Sequence, residues 1–292
     1  VSWNQSGPSN YATAQLGYFD LLRKPIEIYL FIDPLCPESW SLEPLLKKLM
    51  LEYGRFFTIR PIISSRLSSF NQEKGNNDYL KQQWERTSSL TGMCCDGDLW
   101  KENPVNYPSM LPLAIKAAEL QGKKAGKRYL RKIQECVFLN KRDISIENNL
   151  ITCAYEANLD IVEFKKDLYS NSAKKALQCD LKLVKEMEID YTPSIVFFNQ
   201  SVDDDGLKLS GVYPYEIYVK VLKQMLEKEV KPVERPSLEE FIAYYGFVAT
   251  KEVAVVYDWS LERTVRELKK LKLKQIVYEF PVKYGSFWEY RN

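Results

Sequence analysis

The chain has 292 residues, of which 41 are Lys or Arg and 39 are Asp or Glu, for a net charge of +2, and 45% are hydrophobic. This is the make-up of a soluble globular protein of about two domains, and its balanced charge argues against a protein whose main work is gripping a phosphate backbone. There is no histidine, which removes Ser-His-Asp and Cys-His nucleophile pairs, His-based metal motifs and the usual group that titrates near neutrality.

Residues 1–20 read as a flexible N-terminal segment; Val1 to Asn10 is polar and lacks the basic and apolar regions of a secretory signal. Ile26 to Ile32 is β-branched and aromatic, bounded by Pro25 and Asp33-Pro34, and predicts a buried strand. No apolar run approaches the ~18 residues of a membrane span. After Cys36-Pro37-Glu38-Ser39-Trp40, the residues Leu42, Leu45, Leu46, Leu49, Met50 and Tyr53 recur at helical spacing, with Gly54 as the stop. Phe56 to Ile63 is a second strand, so the chain opens β-α-β. From about 72 to 185 a helical insertion follows, with periodic apolar positions over Tyr107–Leu120, Gly126–Phe138, Ile146–Ala157 and Ile161–Leu168. Strands at Pro193–Phe198 and Leu207–Ser210 flank a turn at Asp203–Gly206, and a helix over about 214–229 with Pro214 in its first turn completes a domain spanning 21–230. Two prolines make 231–236 a linker. Ser237 and Glu240 form a capping box that opens a small C-terminal domain over 237–292. Its expected elements are helices at 238–245, 250–257 and 261–271, with Asp258 or Ser260 as a cap, then strands at 275–282 and 286–291 around Gly285. Three helices and a terminal hairpin make it winged-helix-like.

Six cysteines lie at 36, 94, 95, 136, 153 and 179, none in C-x-x-C spacing, which suits a reducing cytoplasm better than a disulfide framework. Cys136, Cys153 and Cys179 are expected to be buried small hydrophobes. Cys94 and Cys95 sit in a polar, flexible stretch; as two ligands short of a closed zinc site they are expected to be loop or core thiols, with redox sensing as the alternative. No metal or cofactor is expected.

Cys36 stands between a strand end and a helix start, where orphan N–H groups and the helix dipole are expected to lower a thiol pKa. That is the placement of a thioredoxin-type redox cysteine, yet the second position of the motif is Ser39, whose hydroxyl cannot form or resolve a disulfide. Cys36, Pro37, Glu38 and Ser39 therefore read as a vestigial motif, with single-thiol chemistry as the alternative. Thr192-Pro193 precedes the third strand, where a thioredoxin fold places a cis-proline facing the redox helix. The last helix carries Arg263, Arg266, Lys269, Lys270 and Lys272, but residues 237–292 hold nine basic against eight acidic residues. A structural or protein-contact role is expected there rather than DNA reading. Phe280, Tyr284, Phe287, Trp288 and Tyr290 make an aromatic hairpin that packs on the three helices or in part offers a binding face.

The strings Phe31-Ile-Asp-Pro-Leu-Cys-Pro-Glu-Ser-Trp40, Tyr107-Pro-Ser-Met to Ala118 and Tyr191-Thr-Pro-Ser-Ile-Val-Phe-Phe198 resemble the DsbA and FrnE-like branch of the thioredoxin superfamily. With the winged-helix-like tail, residues 20–292 are similar to the SpxH (YjbH) family of ClpXP adaptors. The resemblance implies an α/β, DsbA-like fold and a cytoplasmic adaptor, not a thiol enzyme, that binds the stress transcription factor Spx and promotes its degradation by the ClpXP protease. Members often carry Cys-Pro-Glu-Cys and a His- and Cys-rich N-terminal stretch. Ser39 and the absence of that stretch speak against dithiol chemistry and N-terminal zinc here. The two domains are expected to form a platform that docks the client through exposed aromatics of the thioredoxin-like half and the linker. A thiol–disulfide oxidoreductase using Cys36 and a winged-helix DNA-binding regulator are the alternatives. Membrane association is not expected.

Overall fold

The computed structural model describes residues 24–64, 77–105, 109–199 and 206–291; the N-terminal segment 1–20, Tyr107 and Asp203 to Asp205 lie outside the described residues. The chain runs β1 (Ile26–Ile32), α1 (Pro37–Ser41), α2 (Glu43–Tyr53) and β2 (Phe57–Ile63). Seven helices follow: α3 (Asn77–Thr91), α4 (Leu99–Glu102), α5 (Leu111–Leu120), α6 (Lys123–Phe138), α7 (Glu147–Glu156), α8 (Ile161–Leu168) and α9 (Asn171–Glu186). Then come β3 (Ser194–Phe198), β4 (Leu207–Ser210) and α10 (Tyr215–Leu226).

The four strands form one sheet in the order β2-β1-β3-β4, parallel between β1 and β2 and antiparallel elsewhere. β1 is central, so both its faces need cover, which is why its sequence is apolar nearly throughout. Ile26, Ile28, Leu30 and Ile32 enter the main core with Leu49 and Tyr53 of α2 and Leu222 of α10. Phe31 points the other way, into a cluster with Ile62, Val196 and the α9 residues Leu183 and Val184. A buried ion pair of Lys116 on α5 with Asp180 on α9, whose carboxylate also accepts the Ile63 N–H at 2.8 Å, ties the insertion to the end of β2.

The helix expected after Ser39 as one piece up to Gly54 is divided at Leu42. Pro44 is the cause: it has no N–H to give the carbonyl of Trp40, and its ring opposes a continuous helix through that carbonyl. Gly122, at φ 118°, turns the chain into α6 in a conformation that only glycine adopts readily. Capping sets two further starts, through Asp160 accepting the Val162 and Glu163 N–H groups, and Ser170 accepting that of Ala173.

Beyond α10 the chain forms α11 (Leu238–Tyr245), β5 (Phe247–Ala249), α12 (Thr250–Tyr257), α13 (Leu261–Leu273), β6 (Val277–Pro281) and β7 (Ser286–Tyr290). β5 is a correction to the hairpin read from sequence: three residues carry no detectable period, yet they pair antiparallel with β7 to give a sheet ordered β5-β7-β6. The capping box is formed, with the Glu240 N–H donating to Ser237 Oγ and the Ser237 N–H to the Glu240 carboxylate. Ser260 caps α13, while Asp258 ends α12 in the left-handed region. Phe241, Ile242, Val248, Val253, Leu268 and Trp288 make a second core, but Ala249 and Phe287 belong to the main one.

The proline-bearing segment 231–236 is pinned along its length. The Val233 N–H donates to Glu52 O at 2.9 Å and Arg55 donates to Lys231 O at 2.7 Å. Arg235 bridges Glu52 of α2 and Asp258 at 2.7 and 2.6 Å.

Candidate functional site

Cys36 is the N-cap residue of α1, half-buried, with its thiol donating to the carbonyl of Thr192 at 3.5 Å. The Thr192–Pro193 peptide is cis, so the fold brings the Cys36 motif and the Pro193 loop together across 156 residues of sequence. Pro37 is buried at the first turn of α1. Glu38 accepts the hydroxyl of Tyr191, and its backbone carbonyl accepts that of Ser41 at 2.8 Å. Ser39 is 3% exposed, and its Oγ has no hydrogen-bond partner among the described residues.

The lowered thiol pKa expected for Cys36 is corrected by this geometry. Burial pushes the thiol up to about 11, and the charge of Asp33 adds to the rise, outweighing the Ser39 and Glu38 N–H groups that favour the thiolate. A five-residue helix supplies one turn's worth of aligned dipoles, too little to offset desolvation. At neutral pH the group is a protonated thiol with a serine where a second sulfur would be needed.

Directly behind the motif, Trp40 has become a joint. Its ring is fully buried, lies stacked near Phe138 of α6 and Phe287 of β7 at centroid distances of 5.6 and 6.2 Å, and carries the Arg131 guanidinium 4.2 Å above it. Its indole N–H donates to Cys94 O at 3.0 Å. Arg131 in turn makes two hydrogen bonds to the Glu252 carboxylate at 2.9 and 3.1 Å, and Lys47 of α2 approaches the same carboxylate. Glu252 also accepts the Ala249 N–H at 2.7 Å, capping α12. Burial alone would raise this carboxyl, but Arg131 and Lys47 override it and hold it at about 2. Burial and then the Arg131 charge draw the Lys47 ammonium down from its ordinary value, so Arg131 is the permanent cation of the set. Side chains from the redox-motif helix, from α2, from the insertion and from the C-terminal unit thus meet at a single largely buried contact.

Of the remaining thiols, Cys94 and Cys95 are the core thiols that the sequence reading allowed, fully buried although their stretch is polar, and the Cys95 N–H donates to Ser88 Oγ at 3.3 Å. Burial pushes Cys94 up to about 11. Cys136 and Cys153 are buried with their sulfurs 2.8 Å apart, whereas Cys179, expected to be buried, is exposed because α9 buries little besides Ala173 and Asp180. Sequence reasoning missed Arg131, Lys47 and Glu252; nothing local marks them, since Glu252 lies 121 residues from Arg131 and 205 from Lys47.

Residues 29–220 match the Thioredoxin_5 family model, described as thioredoxin. Among solved structures, the cytosolic disulfide reductase DsbM from Pseudomonas aeruginosa superposes with a TM-score of 0.53 at 19% identity, over 69% of this chain and 97% of that one. The fold is therefore thioredoxin-like, of the DsbA type. The chain is 49% identical over 269 residues to the ClpXP adapter protein SpxH of Bacillus subtilis, covering 91% of this chain and 90% of that protein. It is 50% identical over 276 residues to SpxH of Halalkalibacterium halodurans, covering 92% and 90%.

The chain belongs to the SpxH family.

In this SpxH-family member the basic residues of α13 are largely engaged. Lys270 pairs with Glu267 at 2.8 Å, Lys272 with Glu279 at 2.6 Å, and Arg263 lies 4.5 Å over the Trp259 ring. In the aromatic hairpin Phe287 and Trp288 are buried, the latter donating to Thr250 Oγ1 at 2.9 Å, while Phe280 is exposed. Lys283, in the turn between β6 and β7, clamps the hairpin onto the insertion through Glu85 and Asp98, both at 2.7 Å. Among the described residues, no helix is long and apolar enough to cross a membrane, and no group of three or more Cys, Asp or Glu could hold a metal ion.

Proposed function

We propose that this SpxH-family chain is a cytoplasmic adaptor that binds the transcription factor Spx and promotes its degradation by ClpXP, with no thiol turnover of its own. The observation that carries the reading is the 49–50% identity, over nine-tenths of both chains, to proteins named ClpXP adapter protein SpxH. The site chemistry supports it: Cys36 is held protonated, lacks a second sulfur at Ser39, and backs onto Trp40, which is committed to packing. Residues 237–292 act in this reading as a winged-helix-like unit for structure and protein contact, since its basic residues are matched by acidic ones.

In this reading the client face lies beside the Cys36 motif. A cleft of about 470 Å³ lined by Glu38, Leu90, Tyr191 and Val212 opens there, and Tyr213 lies exposed next to it. Exposed apolar and aromatic side chains grouped in this way are the material of a protein interface; a standard one buries about 1,200–2,000 Å² in total. Fluorescence anisotropy with labelled Spx tests the reading. It predicts saturable binding of equal affinity for the wild-type chain and Cys36→Ala, weakened by Tyr191→Ala or Leu90→Ser. Absence of binding by the wild-type chain contradicts it.

A further inference from the structure

The helical insertion holds a second pair of thiols. Cys136 near the end of α6 and Cys153 on α7 are both free and fully buried, and their sulfurs are 2.8 Å apart across the connection between the two helices. A disulfide bond is about 2.0 Å long, so the sulfurs need to close by less than about 1 Å. The pair is walled on one side by Tyr129, which donates to Leu150 O and packs on Phe164. On the other side stands an ion pair between Arg142 and Glu156 at 2.9 Å, with side chains 36% and 33% exposed. Arg142 Nη1 and Glu156 Oε2 each lie 3.8 Å from Cys136 Sγ. Of the two sulfurs, Cys136 is therefore the one that lies against the partly exposed ion pair, with a donor and an acceptor already in place. Cys153 lies behind it, its thiol pushed up by the hydrogen bond to Cys136 and by burial.

We propose that Cys136 and Cys153 are a reversible oxidation site, which a small peroxide converts into an intramolecular disulfide between α6 and α7. Cys136 gives its proton to Glu156 and its sulfur attacks one peroxide oxygen. The O–O bond breaks, Cys136 becomes a sulfenic acid, and the departing hydroxide, met by the Arg142 guanidinium, takes the proton back as water. The Cys153 sulfur then attacks the Cys136 sulfur; the S–S bond forms, the S–O bond breaks, and hydroxide leaves with the Cys153 proton as a second water. In all, two electrons pass from the sulfurs to the peroxide. Cys36 cannot follow this route, because position 39 offers an oxygen, not a sulfur. The new bond ties α7 to the helix that carries Arg131, and so to the joint with the C-terminal unit.

The test uses the full chain treated with hydrogen peroxide, alkylated after unfolding, digested without reduction and mapped by mass spectrometry. The expected product is a linked peptide pair joining Cys136 to Cys153, two hydrogens lighter than the dithiol. It should form while Cys36, Cys94 and Cys95 remain alkylatable, and vanish on treatment with dithiothreitol. Recovery of Cys136 and Cys153 as alkylated thiols at peroxide exposure that oxidises the solvent-facing Cys179 overturns the proposal. In a Cys153→Ala chain, Cys136 should stop at the sulfenic acid and be labelled by dimedone; a folded variant with unlabelled Cys136 overturns the order of attack. The wild-type map decides the matter even if that variant fails to fold.

Discussion

Cys36 and Ser39 together decide the chemistry of the motif. A thiol raised to about 11 exposes little thiolate at neutral pH, so its alkylation by iodoacetamide should be slow at pH 7–8 and accelerate as pH climbs toward 11. A rate that levels off near pH 7, followed by mass spectrometry of the Cys36 peptide, would contradict the burial argument. Ser39 buries a hydroxyl with no partner among the described residues, and an unsatisfied buried polar group costs about 1–3 kcal/mol. Ser39→Ala is accordingly expected to leave the urea midpoint unchanged or raise stability by about 1 kcal/mol; a loss of that size would show that the hydroxyl has a partner. Sequence alone located Cys36 and Pro193, because a strand end followed by Cys-Pro and a Thr-Pro before a strand are local patterns. It did not foresee that burial overrides the helix end, because the dry surroundings of Cys36 are assembled from distant segments.

At the scale of elements, α1 does its work through Trp40. Removing the ring empties a site bounded by Phe138, Phe287 and Arg131, and large aromatic truncations in a core cost about 3–5 kcal/mol. Trp40→Ala should lose that much in equilibrium unfolding, with Trp40→Phe retaining part of it; a loss under about 1 kcal/mol would show that the joint is not an energetic one. Glu252→Gln breaks a buried pair from one side: Arg131 keeps Glu135 at 2.8 Å, but Lys47 loses its carboxylate partner, a situation expected to cost about 3–5 kcal/mol in equilibrium unfolding. Most helices were readable because their apolar periods and caps are local: Ser237 with Glu240 and the run from Leu261 are examples. The break at Leu42 was missed because the helical spacing of leucines runs straight through Pro44. β5 was missed because three residues cannot display a period, and its partner β7 lies some forty residues further on.

For the whole molecule, the Glu252 joint and the pinned segment 231–236 are expected to make the C-terminal unit and the thioredoxin-like unit unfold as one body. Glu252 is held at about 2 against an ordinary 4.5. A carboxyl lowered on folding contributes stability that is complete above about pH 4.5 and disappears as pH falls toward 2, here on the order of 3 kcal/mol. Acid titration of the wild-type chain should therefore lose stability in that window, and Glu252→Gln should flatten this part of the profile. Near-ultraviolet circular dichroism and far-ultraviolet signals should unfold together in a single transition; two separated transitions would contradict the coupling. The order of the main-sheet strands and of the periodic helices was legible, but β5 and the separate helices α3, α4 and α9 were not; nor was the contact of α2 and α6 with α12, because the charges that make it read as ordinary surface residues until the fold brings them together.

An adaptor that works without its thiol should speed delivery whether or not Cys36 is present. A time course of Spx degradation by ClpXP, run without adaptor, with this chain and with its Cys36→Ala variant, decides this, and both chains are expected to accelerate degradation equally. No acceleration by the wild-type chain, or acceleration lost only in Cys36→Ala, would contradict it.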